Sequence, residues 1–134
     1  MAELKTKNLR QTRTFNARAS DLYEAIMDSR KHSQFTGSKS KVSTKVGGSF
    51  TASDGYIQGI NLELVPNRKI VQNWRGSDWP AEHYSKATFS LSPAGRSKTK
   101  LTFTQTGIPA AQFESIKQGW IEYYWKPLEE WLKR

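Results

Sequence analysis

From Ala110 to the C-terminus, apolar and aromatic side chains recur every three or four residues: Phe113, Ile116, Trp120, Tyr124, Leu128 and Trp131. That spacing predicts a helix. Ile121, Trp125 and Leu132 add a second apolar face, so the stripe is wider than a single contact surface requires. Such a helix has to be surrounded, and the rest of the chain must supply the wrapping surface. Pro127 removes an amide donor and crowds the carbonyl four residues back, which predicts a kink or local break near Tyr123 to Pro127.

The wrapping surface is read between Lys41 and Thr106, where the pattern changes to period two with Gly, Pro and Asp at regular intervals. Gly47 and Gly48 separate a run Val42 to Val46 from Ser49 to Ala52. Asp54 and Gly55 are a type I′ hairpin signal, and Tyr56 to Val65 is expected to carry Ile60, Leu62 and Leu64 on one face. Pro66 and Asn67 turn the chain into Ile70 to Arg75. After a loop at Trp79 and Pro80, Ala87, Phe89 and Leu91 alternate with polar residues, as do Leu101 and Phe103 beyond a turn at Pro93 to Gly95. Short turns make these neighbours antiparallel. Gly107, Ile108 and Pro109 end the last strand.

Ahead of this sheet, Thr6 to Phe15 reads as a first strand. Ser20 is expected to cap a brief helix carrying Leu22, Tyr23, Ile26 and Met27, which ends near Arg30, Lys31 and His32. The fold class is therefore α+β: a curved antiparallel sheet around a long C-terminal helix, with short helices between the first two strands. Residues 1–134 read as one domain, since neither repeat nor linker interrupts them.

Composition narrows the function. No stretch approaches the roughly eighteen apolar residues of a membrane span, and Met1 to Lys7 lack the apolar run of a signal peptide, so a cytoplasmic protein is expected. The absence of cysteine removes disulfides, thiolate metal sites and Cys nucleophiles. Lysine and arginine number 21 against 12 acidic residues, a formal charge of +9, which favours acidic partners. No RNP-like strand or recognition helix accompanies that charge, so nucleic acid is not the expected partner.

The chemical inventory is thin. Neither histidine has metal-ligand spacing or a nucleophile motif around it. His32 is read as a helix-end capping or surface residue, and His83, beside Glu82, as a loop residue within reach of a cavity mouth. Gly47 and Gly48 lack the Lys and Ser or Thr of a phosphate loop. No enzymatic activity and no cofactor or metal are expected.

Three ordered groups of residues carry a family resemblance. Phe15, Ala17, Leu22, Tyr23 and His32 to Gly37 form the first. The second runs from Gly47, Gly48 and Phe50 through Asp54, Gly55, Ile57, Gly59, Leu64, Pro66, Ile70, Val71, Trp74 and Arg75 to Trp79 and Pro80. Gly107, Ile108 and Pro109, then Lys117 to Trp120 and Tyr123 to Trp125, complete the set. Together they resemble the Hsp90 ATPase activator homologue 1-like family, in its activator C-terminal domain type.

The resemblance implies a helix-grip fold of the START-like, Bet v 1-like group, often with a cavity between sheet and helix. It also implies a non-catalytic, co-chaperone-like protein that contacts the N-terminal nucleotide-binding domain of an Hsp90-type chaperone and favours its closed, ATP-hydrolysing state. The activators' other domain, with its Asn- and Trp-rich motif, finds no match in these residues, so weak stimulation is the expectation. Lys39, Lys41, Lys45 and Arg75 are the candidates for a partner surface. Trp74, Trp79, His83, Phe89, Phe103, Trp120 and Tyr124 are the candidates for lining a cavity, where the alternative function would be to carry or sense a small apolar ligand.

Overall fold

The computed structural model describes residues 4–133; Met1, Ala2 and Glu3 of the N-terminus read above lie outside the described residues. Strand β1 (Thr6–Phe15) leads into helices α1 (Ala19–Met27) and α2 (Ser29–Thr36). Six strands follow: β2 (Lys41–Val42), β3 (Ser49–Ala52), β4 (Ile57–Val65), β5 (Lys69–Gly76), β6 (Ser85–Gly95) and β7 (Lys98–Pro109). The chain closes with α3 (Phe113–Trp120), a π turn (Ile121–Trp125) and α4 (Lys126–Leu132), which together form one continuous helix.

The sheet is antiparallel throughout, in the order β1-β7-β6-β5-β4-β3-β2. Consecutive hairpins build six of its strands. The exception is β1, which pairs with β7 at the far edge, so α1 and α2 must carry the chain from one edge of the sheet to the other. Inward residues of β5, β6 and β7 (Ile70, Trp74, Phe89, Leu101, Phe103) meet Trp120, Trp125 and Leu128 of the C-terminal helix in the buried core. The double apolar face of that helix is explained by this enclosure. Three of its polar ties are to the first strand: Trp125 Nε1 donates to Gln11 Oε1 at 2.7 Å, Gln11 Nε2 to the Lys117 carbonyl at 3.2 Å, and Arg13 pairs with Glu129 at 3.1 Å.

Several local expectations are corrected. The first helix starts at Ala19 after an extended Arg18, with Ser20 inside its first turn. The start is set upstream, where Thr99 Oγ1 holds the Ala17 carbonyl at 2.8 Å. The same helix stops at Met27, because Asp28 has extended backbone and its carboxylate accepts the Lys31 amide at 2.9 Å, capping a second helix. His32 consequently lies mid-helix and buried, neither capping nor on the surface. Of the expected Val42 to Val46 run only Val42 pairs as a strand, together with Lys41 before it. Asn61 pulls residues 43–48 out of the sheet by donating to the carbonyls of Ser43 and Lys45.

The hairpin at Asp54 and Gly55 is longer than two residues: Ser53, Asp54 and Gly55 all take positive φ, and Asp54 Oδ1 accepts the Lys39 amide at 2.8 Å. Ile60 and Leu62 are exposed on the outer face, while Asn61 points inward and is fully buried. A bulge between Asn61 and Glu63 then switches the parity, so that Leu64 turns inward opposite Ile70. Strand β7 continues past Thr106 because Ile108 and Pro109 pair with Lys7 and Thr6.

The disturbance expected before Pro127 takes the form of the π turn, in which the Lys126 amide donates to the Ile121 carbonyl. A wider turn makes room for the proline ring beside the Tyr123 carbonyl and needs no amide from Pro127. The helix therefore runs on without a break.

Candidate functional site: a cavity between sheet and C-terminal helix

The sheet's curvature and the C-terminal helix leave a cavity of about 360 Å³. Strands β3, β4 and β5 contribute Phe50, Ala52, Ile57, Gln72 and Trp74; β6 contributes Phe89. The C-terminal helix contributes Ser115, Ile116, Gly119, Trp120, Tyr123 and Tyr124. Its π turn advances the side chains so that both adjacent tyrosines reach the lining. Tyr123 remains 75% exposed at the rim. Ile26, His32 and Thr36 close the end under α1 and α2.

Two polar arrangements are built into this apolar wall. His32 Nδ1 lies 2.6 Å from Ser40 Oγ and its Nε2 lies 3.0 Å from the Tyr124 hydroxyl. Burial lowers the imidazole from its ordinary 6.5 to about 4, so His32 is neutral at physiological pH. Burial likewise pushes the Tyr124 hydroxyl well above its usual range. The second arrangement runs behind the cavity: Trp120 Nε1 donates to Gln105 Oε1 at 2.8 Å, Gln105 Nε2 to Ser85 Oγ at 2.9 Å, and Ser85 Oγ to the Trp74 carbonyl at 2.8 Å. It fixes the Trp120 indole and ties it through Gln105 and Ser85 to the β5 backbone at Trp74. At the rim Tyr56 donates to Asp78 Oδ1 at 2.5 Å, and burial, then the bond and charge of Asp78, push its hydroxyl up to about 12.

Of the residues predicted to line a cavity, Trp74, Phe89, Trp120 and Tyr124 do so. Trp79, His83 and Phe103 are outside the lining. Phe103 lies beneath Trp120 at 4.3 Å between ring centroids, Trp79 packs behind Trp74 at 5.4 Å, and His83 Nε2 is spent on the Gly107 carbonyl at 2.7 Å. Sequence reasoning missed His32, Gln72 and Phe50. For His32 the readable signal was Asp28, whose cap places His32 and Phe35 three residues apart on the buried face of α2. Among the described residues no three His, Asp or Glu side chains gather closely enough to hold a metal ion.

The predicted surface residues divide. Lys39, Lys41 and Lys45 are exposed along the free edge formed by β2 and its flanking turns, and none has a salt-bridge partner among the described residues. Arg75 does not belong with them. Its guanidinium donates to the carbonyls of Trp79, Pro80 and His83 at 2.9 to 3.3 Å, which makes it an organiser of the loop after β5.

A family model described as Activator of Hsp90 ATPase homolog 1-like protein matches residues 16–133. The chain belongs to this family. It is 36% identical over 115 residues to a Dictyostelium discoideum protein named activator of 90 kDa heat shock protein ATPase homolog, covering 86% of this chain and 30% of the relative. A human protein, activator of 90 kDa heat shock protein ATPase homolog 1, is 30% identical over 117 residues, 87% of this chain and 34% of the relative. The family member thus spans about a third of the length of these curated relatives. A solved structure of an HSP90 activator from Plasmodium falciparum superposes with a TM-score of 0.90 at 28% identity, covering 94% of this chain and 96% of that one. A Mesorhizobium loti protein, at 21% identity and a TM-score of 0.82, shares the fold. Both the helix-grip architecture and the family expected from the residues are found.

Proposed function

We propose that this chain is a non-catalytic, co-chaperone-like protein that binds an Hsp90-type chaperone at its N-terminal nucleotide-binding domain and weakly stimulates the chaperone's ATPase. The observation that carries this reading is the Plasmodium falciparum match, in which a solved chain of nearly the same extent is titled an HSP90 activator. The exposed, unpaired lysines of the β2 edge, Lys39, Lys41 and Lys45, supply the cationic contact, in keeping with the net charge of +9. Binding would act by population shift: contacts available only in the closed chaperone favour that state, and equal binding to both states would shift nothing.

Lysines on a free edge also discourage edge-to-edge strand pairing, and charge reversal separates the two roles. Replacing Lys39, Lys41 and Lys45 together by Glu preserves the edge's charge density while inverting its sign. Chaperone association measured by calorimetry should weaken roughly ten- to hundredfold, and the unaltered protein should lose affinity as salt rises. Undiminished binding by the triple variant, or no association at low salt, would overturn the assignment.

A further inference from the structure

The outer face of the sheet, away from the C-terminal helix, is built from the residues that alternate with the core. On β6 and β7 these are polar: Lys86, Thr88, Ser90, Thr102 and Thr104. The fold therefore needs nothing apolar on this side. Strand β4 departs from that rule. Ile60 is 40% exposed and Leu62 46% exposed, and Val46 of the loop before β3 is 62% exposed. Single exposed aliphatics are ordinary, but adjoining ones mark interaction sites.

The backbone brings the three together. The Gly47 amide donates to the Asn61 carbonyl at 2.8 Å, and the Asn61 amide to the Gly48 carbonyl at 2.9 Å. Val46 and Leu62, the next residues along each chain, are thereby set side by side. The Asn61 side chain holds the loop in that place through the carbonyls of Ser43 and Lys45. Val71 of β5 lies on the same outer face opposite Glu63, and it is buried although it is no part of the main core. The patch has an apolar floor.

Its rim is cationic. Val42 and Phe50 turn towards the core, so Lys41, paired with Thr51, turns outward on the same face as Ile60. Lys45 is exposed next to Val46. Glu63, the one carboxylate of β4, is engaged by Lys69 at 3.5 Å. A second copy of this chain would set its own lysines against these. Neither β4 nor residues 43–48 carry an aromatic side chain of the kind that anchors proteins at a bilayer surface. Apolar centre and positive rim together suit an acidic protein surface.

We infer that Val46, Ile60 and Leu62 are the apolar anchor of the chaperone contact, with Lys41 and Lys45 as its rim, and that the partner presents an aliphatic depression ringed by carboxylates. The inference rests on the chaperone reading given above and deepens it. Exposed ion pairs alone hold a complex weakly, whereas apolar area removed from water holds it together. The two sets of residues then act on different rates: the lysines speed association, and the aliphatics slow dissociation.

The test compares the full chain with a triple variant, Val46→Thr, Ile60→Thr and Leu62→Thr, for binding to its host's Hsp90 with a non-hydrolysable ATP analogue. Threonine keeps β-branched side chains on the strand. Calorimetry at several temperatures should show affinity lower by about tenfold or more and a less negative heat-capacity change, with the loss undiminished at high salt. Surface plasmon resonance should place the loss in dissociation. Val46→Thr alone, in the loop, repeats the test without altering a strand and should weaken binding about threefold. Leu4→Thr, at an exposed leucine ahead of β1, should bind like the parent. Unchanged affinity and heat capacity in the triple variant, with the parent bound, overturns the anchor and leaves the lysine contact standing; no association of the parent at low salt overturns both. Self-association of the parent, or its binding to phosphatidylserine vesicles, would assign the patch to another occupant and overturn the inference if the triple variant abolished it.

Discussion

Gln105 is fully buried and joins the sheet to the C-terminal helix through both ends of its carboxamide. Gln105→Leu keeps a similar volume, so little of its effect comes from a void. It removes two hydrogen bonds, each worth roughly 1 kcal/mol net, and leaves the Trp120 indole N–H buried without an acceptor, which costs about 1–3 kcal/mol instead of the ordinary loss. Ser85 keeps its donation to the Trp74 carbonyl and suffers less. The expected destabilisation is about 2–4 kcal/mol, read from urea unfolding followed by circular dichroism. Trp120→Phe removes the orphaned donor, so the double variant should be less destabilised than the two singles predict, by about 1 kcal/mol or more. A cost under about 1 kcal/mol for Gln105→Leu, or additivity within about 0.5 kcal/mol, would show that ring stacking alone orients Trp120.

Two further outcomes follow from the same geometry. Because burial holds His32 near 4 instead of 6.5, the unfolded chain binds a proton between those values that the folded chain does not. The contribution of neutral His32 is therefore whole above pH 6.5 and declines as pH falls towards 4, by roughly 3 kcal/mol in total; unfolding curves across that window should be flatter with pH in His32→Gln, and an identical slope would refute the assignment. Gly59→Ala should destabilise by about 3 kcal/mol, because a Cβ would overlap the Asn73 carbonyl oxygen and come within 2.6 Å of the Phe50 ring. A urea midpoint within error of the parent would contradict the packing described for β3, β4 and β5.

The helix-grip plan was readable because two strong periodicities coexist in one chain. The doubled apolar face from Phe113 to Leu132 demands enclosure, and the alternation at Ala87, Phe89 and Leu91 and at Leu101 and Phe103 supplies the enclosing strands. Local breaks in period were harder to see. At β4 the alternation pointed to Ile60 and Leu62, but a bulge and a buried Asn61 that ties down residues 43–48 reversed the face. Asp28 was a legible cap that divides the first helical segment, and overlooking it hid His32 from the site. Aromatic residues alone could not identify the cavity wall: Phe103 and Trp79 lie one layer behind Trp120 and Trp74, a depth that composition does not encode.

Backbone amide shifts of the isotope-labelled chain, titrated with its host's Hsp90 with and without a non-hydrolysable ATP analogue, read out whether the β2 edge meets a chaperone. Shifts concentrated at Lys39, Lys41, Lys45 and their neighbours on the β2 edge, larger when nucleotide is present, are the predicted result. An unchanged spectrum at low salt, with and without nucleotide, would contradict it.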